Sequence, residues 1–96
     1  MTVRVTLNCA IKPEKYPELE TFLAANLPGV REFQGNLQVK VLINAEHTEI
    51  LLDEEWHSVE SHQAYLEFIK NNGVLAQLQA FLKAPPDIGY FQALAI

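Results

Sequence analysis

Cysteine is all but missing from this 96-residue chain: Cys9 stands alone, so no internal disulfide can form and no thiolate set is available for zinc. Cys9 therefore reads as a small strand hydrophobe. Basic residues are scarce too, 7 Lys and Arg against 12 Asp and Glu for a formal net charge of -5, and they are scattered from Arg4 to Lys83. Phosphate recognition rests on clustered cations, so this balance excludes a nucleic-acid partner. No apolar run approaches the roughly 20 residues needed to cross a bilayer. The start, Met1-Thr2-Val3-Arg4, alternates instead of forming a signal-peptide core. The expectation is a cytoplasmic protein with no membrane partner.

Hydrophobic residues, by contrast, make up 49% of the chain against 20% charged. That composition suits a single soluble domain over residues 1–96. A fold of this size buries roughly 60 to 70% of the surface its unfolded chain exposes, enough for one core and no second.

Two hydrophobic periods alternate along the chain. From Thr2 to Ile11 the apolar residues Val3, Val5, Leu7, Cys9 and Ile11 recur every second position, the period of a strand. Between Glu14 and Leu27 the spacing of Tyr16, Leu19, Phe22, Leu23 and Leu27 lines one face of a helix; Pro17 suits its first turn and Pro28 should stop it, with at most a loose extra turn before Gly35. Alternation returns at Leu37, Val39, Val41 and Ile43. A polar turn then leads to Ile50-Leu51-Leu52 and on to Trp56, a β-hairpin. Ser58 is a candidate N-cap, and Ala64, Tyr65, Phe68 and Ile69 form the stripe of a second helix reaching about Asn71. Gly73 can cap its C-terminus, Val74 to Leu82 suggests a short third helix ended by Pro85-Pro86, and Ile88 to Leu94 reads as a last strand.

The order βαββαβ predicts an α+β, ferredoxin-like fold: a four-stranded antiparallel sheet with the helices on one face. The other face is left uncovered. Because the hairpin carries Ile50 and Leu52 on one side and Leu51 on the other, the open face is expected to be partly apolar and to pair with a second copy, giving a homodimer.

The run from Leu51 to Leu66, with Glu54, Trp56 and Ser58 in a Glu-x-Trp-x-Ser pattern, resembles the signature of the antibiotic biosynthesis monooxygenase family. The likeness continues through Gly73-Val74-Leu75, Pro85-Pro86 and Tyr90-Phe91. It implies a dimeric α+β barrel and a cofactor-free monooxygenase that oxidises a small aromatic, phenol- or quinol-like substrate with dioxygen. Members with that chemistry carry Asn four residues before the Trp and Tyr six residues after it; here those places hold Leu52 and His62, and a Leu side chain forms no hydrogen bond. The family also includes haem-degrading enzymes, which use a strand Asn and a helix His, and Asn8 resembles that Asn while Tyr65 stands near the place of the His. Tyr can ligate haem iron, so haem binding is one alternative reading. A ligand-binding dimer that kept the fold and lost the chemistry is the other.

Chemistry assigns provisional roles. Oxidising a phenol with dioxygen needs a base near neutral pKa, a hydrogen-bond donor for the substrate oxygen and an aromatic wall; His62, Tyr65 and Trp56 supply these, and His62 and Tyr65 are three apart on one helix. They are the candidate catalytic residues, expected to line a pocket together. Asn8, Glu54, Phe68 and Tyr90 are the candidate substrate-binding residues. Each has a plainer alternative. His62 can be a polar residue of an amphipathic helix, Tyr65 and Trp56 can be core aromatics, and Asn8 can hydrogen-bond at a strand end. Glu54 is either a pocket carboxylate with a raised pKa or the ion-pair partner of Arg4 or Lys40. His47 and His57 lack metal-ligand spacing, and the cluster Asp53-Glu54-Glu55 has no second acidic group, so no metal is expected.

Overall fold

A computed structural model describes residues 1–96. Strands β1 (Val3–Ala10), β2 (Asn36–Ile43), β3 (Glu49–Trp56) and β4 (Asp87–Phe91) form one antiparallel sheet in the order β2-β3-β1-β4. Helices α1 (Tyr16–Glu32), α2 (Val59–Asn71) and α3 (Val74–Gln79) complete the expected βαββαβ order, with α3 an addition after α2. The ferredoxin-like α+β fold is therefore present.

The strand period sets the core. Val3, Val5, Leu7 and Cys9 of β1 face the helices with Ile50, Leu52 and Trp56 of β3, and Leu19 and Val30 of α1 close over them. Each apolar side chain buried in this way contributes about 1.5 to 3 kcal/mol. Burial also pushes the Cys9 thiol up to about 11, which leaves it an unreactive packing group.

Several element ends differ from expectation. α1 runs through Pro28 to Glu32. The missing N–H of Pro28 deprives only the carbonyl of Ala24, on the exposed side where water can replace it, while buried Val30 extends the apolar stripe of Leu19, Leu23 and Leu27 and holds the helix together. β4 stops at Phe91, three residues before Leu94, and α3 stops at Gln79, because Leu82 leaves the helix to bridge Ile11.

The open face is more polar than the sequence reading supposed. Arg4, Thr6 and Asn8 of β1 lie beside Asp53 and Glu55 of β3, with Arg4 and Asp53 ion-paired at 2.9 Å and Thr2 donating to Glu55 at 2.8 Å. Large apolar side chains on that face include Leu42 and Leu51, which are register partners, and Phe91. The hairpin's outward apolar positions are thus interleaved with charge.

Candidate functional site

The turn from α1 into β2 sets where α2 begins. Gly35 takes φ +96°, a backbone conformation side chains rarely adopt, and a Cβ there would lie 2.6 Å from the Cβ and Oγ of Ser61 and 3.8 Å from the Trp56 ring. Its carbonyl accepts the His57 N–H at 2.7 Å. This close approach seats the first turn of α2 against the end of β3. Ser58 caps that turn, accepting the Ser61 N–H at 3.1 Å.

Helical spacing then turns His62, Tyr65 and Ile69 toward the sheet. His62 is 1% exposed, a polar residue within the buried stripe. Its Nδ1 is 2.9 Å from the hydroxyl of Tyr90, which β4 holds on the helix side through its register with Val5. Its Nε2 faces Oε1 of Glu54 at 3.9 Å, beyond hydrogen-bond reach. Glu54 is 4% exposed, and the same Oε1 accepts the Trp56 indole N–H at 2.7 Å. Tyr90, His62, Glu54 and Trp56 thus form one polar chain between α2 and the sheet.

Desolvation dominates its electrostatics. Burial pushes the His62 pKa down to about 4, so the imidazole is neutral at pH 7. Burial also raises the Glu54 carboxyl, partly offset by the indole hydrogen bond and reinforced by Asp53. Tyr90 is raised by its partial burial and by Glu54. A hydrogen on Nε2 points toward the Glu54 carboxyl and leaves Nδ1 to accept from the Tyr90 hydroxyl. The carboxylate favours that tautomer.

The remaining candidates fall on three sides of this chain. Tyr65 packs against Trp56 and Phe33, with ring centroids 5.5 and 5.2 Å away; burial raises its phenol to about 12. Phe68 is 53% exposed and touches Phe33 at 5.4 Å, outside the chain. Asn8 pairs with Leu51 on the open face, opposite Trp56. The alternative in which Glu54 pairs with Arg4 or Lys40 is overturned: Arg4 pairs with Asp53, because odd and even positions of β3 point to opposite faces. The expected pocket lined by Trp56, His62 and Tyr65 is not open either. Their rings, with Phe33, fill that space themselves, and no cavity of the molecule is lined by any of the three.

A haem would need Asn8, Trp56 and Tyr65 to converge. The sheet separates Asn8 from the other two, so these residues do not fit the group. No three His, Cys, Asp and Glu side chains come together as a metal-binding set. Two contributors escaped the sequence reading. Phe33, next to the αβ turn, carries the aromatic cluster, and the Asn36 amide, the register partner of Trp56, has a buried Nδ2 without a hydrogen-bond partner. Hydrophobicity alone could have flagged Phe33; nothing local signals Asn36.

Comparison with known proteins agrees with this architecture. Residues 2–67 match the sequence model of a family described as antibiotic biosynthesis monooxygenase. No curated protein matches. Among solved structures, a conserved protein of Methanosarcina mazei superposes with a TM-score of 0.85 at 18% identity, covering 96% of this chain and 92% of its own. A Mycobacterium tuberculosis protein gives 0.83 at 19% identity, covering 100% and 98%. A Streptomyces coelicolor monooxygenase in complex with nanaomycin D gives 0.77 at 15% identity, covering 99% and 88%. At these identities the likeness is one of fold.

Proposed function

The chain belongs to the antibiotic biosynthesis monooxygenase family, and from that premise we propose that it is a monooxygenase acting on a small aromatic, phenol-like substrate with dioxygen and no cofactor. The observation that carries this reading is His62, a neutral imidazole buried between α2 and the sheet with Tyr90 on one nitrogen and Glu54 facing the other.

In the proposed reaction the phenol gives its proton to the His62 side of the chain, and the electron-rich anion passes one electron to dioxygen. The resulting radical pair combines at a ring carbon. The peroxide anion so formed takes back the proton held by His62, and elimination of water, made from the ring hydrogen and the outer hydroxyl, cleaves the O–O bond and leaves a quinone, so one oxygen atom enters the product and the other departs as water. Glu54 stabilises the imidazolium formed meanwhile, and Trp56 and Tyr65 exclude water from it. With Glu54 already facing it, burial still leaves the His62 pKa at about 4, a weak base, so the transfer runs more readily the more acidic the phenol.

The functional unit in this reading is a homodimer formed through the open sheet face, with Leu42, Leu51 and Phe91 as its apolar contacts, in a cytoplasmic setting that suits a lone buried thiol. Oxygen uptake with anthrone tests the activity. His62→Ala is expected to lower the rate about 10²-fold. Equal rates in wild type and variant would sink the role of His62, and a Soret shift on haemin titration, lost in Tyr65→Phe, would favour haem binding instead.

A further inference from the structure

The chain of polar groups has an inner end and an outer end. Glu54 and Trp56 are sealed inside, whereas Tyr90 is 37% exposed at the edge of the sheet. Tyr65 lies on the other side of α2 from Tyr90, walled by Phe33 and Trp56. A substrate can meet the chain from one of these two sides.

A cleft of about 400 Å³ opens on the Tyr90 side, between α2, α3 and β4. Leu66, one helical turn beyond His62, lines it, as do Gln63 and Lys70 of the same helix. Ile88 lines it from β4, two residues before Tyr90 and therefore on the same face, and Leu7 forms part of the floor. Tyr90 is the next residue beyond Ile88 on that face, a strand step of roughly 7 Å between Cα atoms, so its partly exposed ring borders the β4 end of the cleft without forming its wall. The apolar walls suit an aromatic body, with the polar side chains of α2 left for its substituents.

We propose that the substrate enters through this α2–β4 cleft and that Tyr90, not Tyr65, is the catalytic residue that touches it. The proton moves in a relay: the substrate O–H breaks as its proton joins the Tyr90 oxygen, while the original Tyr90 proton forms an N–H bond at Nδ1 of His62. His62 becomes an imidazolium facing Glu54, and Tyr90 ends neutral as it began. The arrangement is the logic of a nucleophile–histidine–carboxylate triad with a phenol in the outermost place and the imidazole nitrogens exchanged. Placing the base one bond length behind the surface keeps it dry while leaving its proton reachable.

This inference rests on the monooxygenase reading for its reaction but not for its location, and the two are tested separately. Location is read with 2-naphthol, a phenol used only as a binding probe, through quenching of Trp56, the chain's only tryptophan. Gln63→Phe, which fills the cleft from an exposed helix position, is expected to weaken 2-naphthol binding at least tenfold. Ala24→Phe, which fills the separate cavity under α1, is expected to leave it unchanged. Equal weakening by both, or by neither, overturns the cleft. The relay is read with anthrone oxidation. Tyr90→Phe is expected to lower kcat about 10²-fold with KM within threefold and to change the pH profile. An unchanged kcat and profile overturn it. Cleft-dependent binding without oxygen uptake would remove the oxidation reading and leave the cleft standing.

Discussion

Asp53 and Glu54 are neighbours on β3 and differ by one methylene, yet they live in different solvents. Asp53 points to the open face, its side chain 24% exposed, and meets Arg4 at 2.9 Å. Glu54 points inward, 4% exposed, and takes its hydrogen bond from the Trp56 indole. On the open face a charge pair forms and dissolves at little cost. Inside, each polar group must be hydrogen-bonded or it destabilises the fold, and retaining such groups is how a site with displaced pKa values is built. The strand period alone produces the contrast, since a shift of one residue exchanges the two environments.

The sharpest way to break that contrast is to open the inner side. Trp56→Ala removes the largest fully buried side chain together with the donor to Glu54. Urea denaturation is expected to show a loss of about 3 to 5 kcal/mol. A loss below 1 kcal/mol would mean that the inner cluster is not the core it is taken for.

Acid probes the inner groups next. The unfolded chain binds a proton at His62 near pH 6.5, while the folded chain resists it until about pH 4. Between those values the unfolded state holds the extra proton, so stability is full above pH 6.5 and falls as pH drops toward 4. Glu54, raised on folding, acts in the opposite sense: its share is present below its ordinary pKa and lost as pH rises through the folded value. The net loss between pH 6.5 and 4 is expected to be on the order of 2 kcal/mol. His62→Gln should flatten that slope, and an unaltered slope in the variant would assign the effect to other groups.

How much of this was readable in advance follows from distance along the chain. Alternation in β1 and β3 foretold which residues face the helices, and Ser58 foretold where α2 begins. Asn8 was separable from Trp56 in principle, but only the register that sets Asn8 against Leu51 fixes it. The bond between His62 and Tyr90 spans 28 residues and depends on β4 pairing with β1, which no local pattern encodes. Pro28 misled because a propensity averaged over all helices gave way to Val30 packing in this one.

The outer side answers to a change in association. Leu51 and Leu42 face each other across β3 and β2 among charged neighbours. Leu51→Asp puts a carboxylate at the centre of the proposed interface and is expected to raise the dimer dissociation constant at least tenfold, about 1.4 kcal/mol, with the far-UV spectrum unchanged. Sedimentation equilibrium measures it. A wild type of 10.9 kDa at micromolar concentration would remove the dimer outright.

Arg4→Ala should do least. Its guanidinium holds Asp53 at 2.9 Å, but the side chains are 45% and 24% exposed, and water and salt replace what the pair supplies. In a dilute monomer the denaturation midpoint at 0.15 M salt should not move. The same variant also tests what covers the face. If a second copy lies over Arg4, Asp53 is left in a drier place when its partner is cut away, and the midpoint falls at protein concentrations where the chain is dimeric. A shift that appears on concentration and vanishes on dilution therefore locates the cost at the interface. A shift of equal size at both concentrations would show that Asp53 is held as tightly as Glu54, and the contrast between the two faces would disappear.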